Sequence, residues 1–425
     1  MRIPLYKSRP YGPSSARFGG ERINDFIVMS EGCSNSYLLE TPEGSILVNT
    51  GMGYEAPVHC KNYEQLSTGS GSIKYVITTQ GHVDHVGGVA FFRQQNPELQ
   101  YIAQAGNEEH QAYDDLLRPF RSSRSAFRFL DTFQEDFSYY AAQGYTDINA
   151  QDRPTPDVTF ERRYEFTLGG LDVVLIGVKG AETNDSLIVW LPQHKICLTG
   201  NIFGCPFGHF PNLVTIRGDR YRDALTCAAA AQTVLDLGAE LILYGHHAPV
   251  VGKELIRTEV TAIRDAILYV HDETVKGMNE GKDVYTLMQD IELPAQCEVG
   301  QGYGKVSWSV RAIWESYAGW FHHDSTTALY SVPQRSVHAD LIELAGIGAV
   351  LERALQKFAQ DESEQALHLL DIIFTVEPAH KEAVTLSIQI HERLLREDDN
   401  FWLTGWLKNQ IKLLKGGVTS ALSFR

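Results

Sequence analysis

Three side chains of the kinds that bind metal ions stand within four consecutive positions of this chain. His82, Asp84 and His85 lie in the segment TQGHVDHVGG at 79–88, which follows a strand-like run and opens a helix-like pattern. Side chains at this spacing cannot share one helical face, so a loop must turn them toward different points. Strand ends are where α/β folds place reactive groups, and imidazole and carboxylate ligands suit zinc, iron or manganese. The segment therefore predicts a metal site at the end of a buried strand.

The first 260 residues and the remainder carry different patterns. Runs of four to eight β-branched and aromatic residues predict strands at 45–49, 73–79, 171–176, 186–191, 195–198 and 240–244. Helical patterns fall between them around 86–95, 105–117 and 219–237, which indicates a layered α/β domain. From about 255 onward, apolar residues recur at helical spacing, and 344–395 resembles successive helical hairpins. We predict an α/β domain over 1–260 and an all-helical domain over 261–425.

Composition excludes several classes of function. A formal net charge of −16 argues against nucleic-acid binding, which needs a basic face. No run approaches the ~18 apolar residues of a membrane span, and the N-terminal residues lack the apolar stretch of a secretory signal. The six cysteines contain no C-x-x-C pair, which favours reduced thiols over a disulfide framework. A soluble cytoplasmic protein is expected.

The segment 80–85 resembles the H-x-H-x-D-H metal motif of the metallo-β-lactamase superfamily, with Gln80 in place of its first histidine. The resemblance implies one or two divalent ions, with zinc expected and iron or manganese as alternatives. The other matching positions follow later strands. His247 competes with its neighbour His246 for the last ligand role, and the neutral amide Asn201 takes the position of the family's bridging acid. The implied metal ligands are Gln80, His82, Asp84, His85, Glu182, Asn201 and His246.

The resemblance sharpens to the alkylsulfatase branch of that superfamily. It is carried by the segments 210–218, 269–281, 301–307, 317–321 and 401–405. The implied architecture is an αββα sandwich followed by an all-α dimerisation domain, hence a homodimer. In this branch an Asn and an Arg of an N-x-x-x-x-R-G segment hold the sulfate, and Asn212 and Arg217 match them. A guanidinium suits this role because it donates paired hydrogen bonds to an oxyanion.

The implied activity is hydrolysis of an anionic ester such as an alkyl sulfate, by a water molecule that the metal acidifies. Asp84 and His247 are the predicted catalytic residues, with His247 as a proton donor if it is not a ligand. Two alternatives remain at this point: a non-heme iron or diiron oxygenase on the same fold, and a non-catalytic dimeric binding protein. A second basic cluster, Arg118, Arg121 and Arg124, either admits an anionic substrate or forms a solvated surface.

Gln80 is the departure that matters most for the chemistry. An amide oxygen binds zinc more weakly than an imidazole nitrogen does. The sequence therefore predicts that Gln80→His raises the zinc content of the protein.

Overall fold

The computed structural model describes residues 3–9, 11–69, 71–145 and 153–417. The chain divides into two compact units. The sandwich unit comprises Met1–Arg124 and Phe133–Tyr317, and the helical unit comprises Ser125–Thr132 and Ala318–Arg425.

The described part of the sandwich unit contains two sheets. The first has the order β1-β2-β3-β4-β5-β6-β7, and its strands are β1 (Glu21–Arg22), β2 (Ile27–Ser30), β3 (Ser36–Thr41), β4 (Gly44–Val48), β5 (Ile73–Ile77), β6 (Gln100–Gln104) and β7 (Val158–Phe160). The second has the order β13-β12-β11-β10-β9-β8, and its strands are β8 (Arg163–Leu168), β9 (Leu171–Gly177), β10 (Leu187–Leu191), β11 (Ile196–Gly200), β12 (Leu241–Tyr244) and β13 (Val250–Val251). The pairings from β4 to β7 and between β11 and β12 are parallel. Parallel neighbours bring the ends of several strands, and the loops after them, to the same edge of a sheet.

Helices cover the outer faces of the sandwich. Those of this part of the chain are α1 (Ala56–Leu66), α2 (Val83–Val86), α3 (Val89–Gln95), α4 (Asn107–Leu116), α5 (Arg118–Ala142), α6 (Ala224–Leu237), α7 (Lys253–Asn279), α8 (Val284–Asp290) and α9 (Val306–Ala318). Helices α1 and α3 pack on the first sheet, and α6 and α7 pack on the second.

The alternation of side chains along each strand explains the four layers of the sandwich, in which two sheets lie between two layers of helices. Leu39 and Ile46 point into the core between the two sheets, whereas their neighbours Leu38 and Leu47 point toward α1 and α3. Successive side chains of a strand face opposite sides, so a strand that is apolar on both sides must be covered on both sides. This arrangement is the predicted αββα sandwich, and the predicted fold class is confirmed.

The helical unit is built from hairpins of helices. Its helices are α10 (His338–Ala345), α11 (Ile347–Ala359), α12 (Ser363–Val376), α13 (Lys381–Glu397) and α14 (Phe401–Lys415). Leu351, Leu370, Ile373 and Leu386 form its main core at helical spacing. Residues 125–132 of α5 also belong to this unit, where Phe129 and Trp402 form an edge-to-face aromatic pair.

The sequence predicted six of the thirteen described strands and missed one long helix. All six predicted strands are present within one or two residues of the predicted bounds. The segment 118–142, in which the sequence indicated only a cluster of arginines, is helix α5. The domain boundary at 260/261 stays a prediction. The division between the two compact units falls later in the chain, between Tyr317 and Ala318. Across the described residues, no helix has both the length and the apolar character needed to cross a membrane.

Candidate active site

The candidate metal-binding motif at 80–85 follows β5, and its side chains point in two directions. His82 has an extended backbone, with φ of −63° and ψ of 148°, and precedes the single helical turn α2, on which Asp84 and His85 stand. The change from extended to helical backbone turns His82 away from the other two side chains. We call the two resulting groups the Asp84 side and the His82 side.

The Asp84 side consists of Asp84, His85, Asn201 and His246. Oδ2 of Asp84 lies 3.4 Å from Nε2 of His85, and Nδ2 of Asn201 lies 3.0 Å from the same nitrogen. The rings of His85 and His246 are 6.5 Å apart. Asn201 follows β11 and His246 follows β12, so parallel pairing of these strands brings their ends together.

Burial keeps the histidines of the Asp84 side neutral. It lowers the pKa of His246 to about 3, against the opposing charge of Asp84, and it also lowers the pKa of His85. Nδ1 of His85 lies 3.1 Å from Oγ of Ser34, so Nε2 is the nitrogen that faces Asp84. Neutral imidazole oriented by a hydrogen bond at its other nitrogen is the form that binds metal ions.

The His82 side consists of Gln80, His82, His110, Glu182 and Arg222. Nε2 of Gln80 lies 2.7 Å from Nδ1 of His82, whose ring is 5.0 Å from that of His110. Oε1 of Glu182 lies 2.9 Å from Nη2 of Arg222, and both side chains are only 6% exposed. Glu182 is thus bonded to a cation of the chain itself.

Guanidinium groups surround the His82 side. Arg121 of α5 contacts Asp219 at 3.3 Å, and Arg222 is stabilised in its charged form by Glu182 and Asp219. Burial lowers the pKa of His82 well below its usual range, and the positive charges of Arg217, Arg222 and Arg121 lower it further. These buried positive charges suit an anionic ligand.

The two predicted sulfate-binding residues lie in the loop between β11 and α6. Asn212 is buried, and its carbonyl oxygen accepts a 2.6 Å hydrogen bond from Arg222. Its Nδ2 has no hydrogen-bond partner among the described residues. The carbonyl oxygen of Arg217 accepts a 2.9 Å hydrogen bond from Nε of Arg124. Of the predicted basic cluster, Arg121 is buried, Arg124 holds this loop, and Arg118 is exposed beside Asp115.

His247 faces away from the Asp84 side. Its Nε2 lies 2.6 Å from the carbonyl oxygen of Gly12, and its Nδ1 lies 3.1 Å from Oγ of Ser14 and 3.3 Å from Oε1 of Glu31. Both ring nitrogens are therefore engaged by other parts of the sandwich unit. The role of His247 as a proton donor stays a prediction.

Asn35 ties the loop after β2 to the end of β12. Its Nδ2 donates to the carbonyl oxygens of Tyr244 at 3.1 Å and of His247 at 2.7 Å. Its backbone N–H donates to the carbonyl oxygen of Gly245 at 2.7 Å. The loop that carries His246 is consequently held by the other sheet of the sandwich.

The Asp84 side and the His82 side differ in how well their donors suit a divalent ion. Within the described ranges, no three His, Cys, Asp or Glu side chains are already gathered closely enough to hold a metal ion. On the Asp84 side the chemistry nevertheless fits a divalent ion, because a carboxylate and two neutral imidazoles are present and Oδ1 of Asn201 is buried without a hydrogen-bond partner in the described residues. On the His82 side, the carboxylate of Glu182 is paired with Arg222.

Sequence reasoning missed Arg222, Asp219 and His110. Arg222 lies 40 positions from Glu182, and no local pattern links the two. The cluster of four charged residues at 219–223 was the available signal, but such clusters are usually solvated.

Comparison with known proteins identifies the fold family. The model of the metallo-beta-lactamase superfamily matches residues 30–246, about half of the chain. The chain belongs to the metallo-β-lactamase superfamily. A second model, alkyl sulfatase dimerisation, matches residues 286–415. Both matches confirm the resemblance found in the sequence, and superfamily membership implies divalent metal ions.

Individual relatives are alkylsulfatases. The chain is 25% identical to a linear primary-alkylsulfatase of a Pseudomonas species, over 91% of this chain and 76% of that protein. It is 23% identical to an alkyl/aryl-sulfatase of Saccharomyces cerevisiae, over 93% of this chain and 64% of that protein. The solved structure of the stereoselective inverting sec-alkylsulfatase Pisa1 from Pseudomonas sp. matches with a TM-score of 0.80 at 21% identity, over 95% of this chain and 66% of that one. The structural match shows the shared fold.

Proposed function

We propose that this chain is a metal-dependent hydrolase that cleaves sulfate esters of alkyl alcohols. The observation that carries the proposal is a pair of adjoining groups at one edge of the sandwich. The Asp84 side offers neutral imidazoles and a carboxylate, and the His82 side offers buried guanidinium groups. The alkylsulfatase relatives support a sulfate ester as the substrate class.

In this proposal Asp84, His85 and His246 hold the metal, and zinc is the preferred ion because imidazole and carboxylate suit it. The bound ion supplies a Lewis acid that lowers the pKa of water. Arg217 and Nδ2 of Asn212 bind the sulfate oxygens, which orients the ester toward the Asp84 side. Burial around these groups excludes water and strengthens each charged hydrogen bond.

His246, and not His247, is the proposed ligand. The ring of His246 lies beside that of His85, and the negative charge of Asp84 acts on it. The ring of His247 instead contacts Gly12 and Ser14. These contacts favour a positioning role for His247, which fixes the backbone that carries His246.

The two alternative functions are not favoured. The oxygenase and the non-catalytic binding protein share the fold, but the relatives named above are sulfatases. The cytoplasmic location stays a prediction.

A substrate comparison tests the proposal. The protein is loaded with zinc, manganese or iron and given an alkyl sulfate, an alkyl phosphate and a carboxylic ester of equal chain length, and inorganic sulfate is measured by ion chromatography. We expect sulfate release with zinc, and its loss in Asp84→Ala but not in the exposed control Asp324→Ala. Oxygen uptake by an iron-loaded protein that releases no sulfate would contradict the proposal and favour the oxygenase.

A homodimer formed through the helical unit is the proposed assembly. The dimerisation model matches this region, and the unit exposes large apolar side chains, including Trp320, Tyr330, Val332 and Leu344. Exposed apolar surface of this kind is typical of protein interfaces. Light scattering during size-exclusion chromatography should give twice the chain mass, and a single-chain mass at micromolar concentration would contradict the dimer.

A further inference from the structure

The ion pair between Glu182 and Arg222 is the least expected feature of the site. Both side chains are 6% exposed, and the atoms that meet are 2.9 Å apart. A buried carboxylate needs a compensating charge, and here a guanidinium supplies it. Arg222 is fixed from a second direction, because it donates a 2.6 Å hydrogen bond to the carbonyl oxygen of Asn212.

A second divalent ion beside Glu182 would meet like charge. Arg121 also lies close to this group, because its Nη2 is 3.3 Å from Oδ2 of Asp219, which is itself 3.9 Å from Nε2 of His82. A cation bound at His82 and Glu182 would have to displace Arg222 and then remain close to several guanidinium groups. Like charges at short range in a buried site repel strongly.

The carboxylates of the His82 side are paired with arginines, and its other donors are neutral. Oδ2 of Asp219 lies 3.9 Å from Nε2 of His82, but it also lies 3.3 Å from Nη2 of Arg121. Gln80 is a neutral amide whose Nε2 lies 2.7 Å from Nδ1 of His82. Asn201 of the Asp84 side is also a neutral amide. With Glu182 neutralised by Arg222, Asp84 is the carboxylate that remains to balance a metal charge on the Asp84 side.

We propose that the guanidinium of Arg222 takes the place of a second metal ion on the His82 side, so that the chain holds one divalent ion, on the Asp84 side. This inference rests on the proposed function, because it assumes that the Asp84 side binds metal. Arg222 is then a positioning residue that holds Glu182 and the loop of Asn212.

Counting metal ions per chain tests the inference without reference to turnover. Protein incubated with excess zinc and freed of unbound metal is analysed by inductively coupled plasma mass spectrometry. We expect one ion per chain in the unaltered protein and in Glu182→Gln. We also expect one ion in Gln80→His, contrary to the expectation from the sequence alone, because Arg222 still pairs with Glu182 in that variant. The double variant Gln80→His/Arg222→Gln should bind two, because it completes a ligand set and removes the guanidinium that blocks it. Arg220→Gln is the matched control, since Arg220 is exposed and pairs with Glu109.

Each other result overturns the inference. Two ions in the unaltered protein, loss of an ion in Glu182→Gln, or one ion in a folded double variant would each contradict the role of Arg222. If the double variant does not fold, as judged by circular dichroism, the unaltered protein and Glu182→Gln decide the question. Two ions together with sulfate release would leave the proposed function standing, whereas no ion and no sulfate release would remove both.

Discussion

The side-chain amide nitrogen of Asn201 lies 3.0 Å from Nε2 of His85, the nitrogen that also faces Asp84. An amide N–H directed at this nitrogen uses the lone pair through which an imidazole binds metal. Asn201 has little freedom to move toward β12, because even a Cβ atom at Gly245 would lie 1.8 Å from its Oδ1. We therefore expect Asn201 to compete with a metal ion for His85.

Asn201→Asp should raise metal affinity. A carboxylate cannot donate a hydrogen bond to His85, and it adds a negative charge next to the metal ligands. We expect the Kd for zinc to fall on the order of 10-fold, measured by competition with a chromogenic chelator. Asn279→Asp makes the same change of charge at an exposed helix end and should leave the Kd unchanged. An unchanged or higher Kd in Asn201→Asp would refute the competition.

Arg217→Gln should weaken recognition of the sulfate group. A hydrogen bond from a charged donor contributes about 1.5–3 kcal/mol, so kcat/KM should fall by about 10- to 100-fold. The fall should be smaller for a neutral ester, which lacks the anionic group. Arg220→Gln, at an exposed arginine of the same loop, should leave kcat/KM within a factor of two or so of the original. Equal losses in the two variants would mean that Arg217 has no special role.

Stability should fall as the pH drops below about 6.5. Burial lowers the pKa of His59 to about 3, and its Nδ1 lies 2.7 Å from Oγ of Ser30. Between these two pH values the unfolded chain binds a proton at this position that the folded chain does not, so acid favours unfolding. The contribution is complete above about pH 6.5 and is lost at about 1.4 kcal/mol per pH unit toward pH 3.

His59→Asn should therefore reduce the slope of unfolding free energy against pH by about 1.4 kcal/mol per unit in that window. Urea titrations of metal-free protein between pH 4.5 and 6.5 measure it. The same substitution at the exposed His368 is the matched control. A slope that does not change in His59→Asn would show that His59 is protonated in the folded chain.

Leu370→Ala should destabilise the helical unit. Leu370 is fully buried in α12, and removing such a side chain costs about 2–5 kcal/mol, depending on how far the cavity collapses. Leu355 of α11 is 48% exposed, and Leu355→Ala should cost less than about 0.5 kcal/mol. Urea unfolding followed by circular dichroism compares the two. Similar losses would place the core of this unit elsewhere.

Local patterns were sufficient for six of the thirteen described strands and for the segment 80–85. The run that became β10 is continuous and apolar, which is the pattern of a strand covered on both faces. The motif was recognisable because its three ligand-type residues are neighbours in sequence. Helix α5 was missed although Arg118, Arg121 and Arg124 recur at three-residue spacing, which places them on one side of a helix.

The charge arrangement of the site could not be predicted in the same way. Whether Glu182 meets a metal or a guanidinium depends on Arg222, which approaches it only after the loop from β11 to α6 has folded. The direction of His247 likewise depends on residues near the start of the chain, including Gly12. Such pairings follow from tertiary structure, and a single sequence carries no record of them.

The hydrogen bonds of Asn35 preorganise the proposed ligand His246. Because this side chain joins the loop after β2 to the backbone around His246, the position of that imidazole depends on how one sheet packs against the other. A substitution that loosens the contact between the two sheets should therefore weaken metal binding even when every proposed ligand is intact.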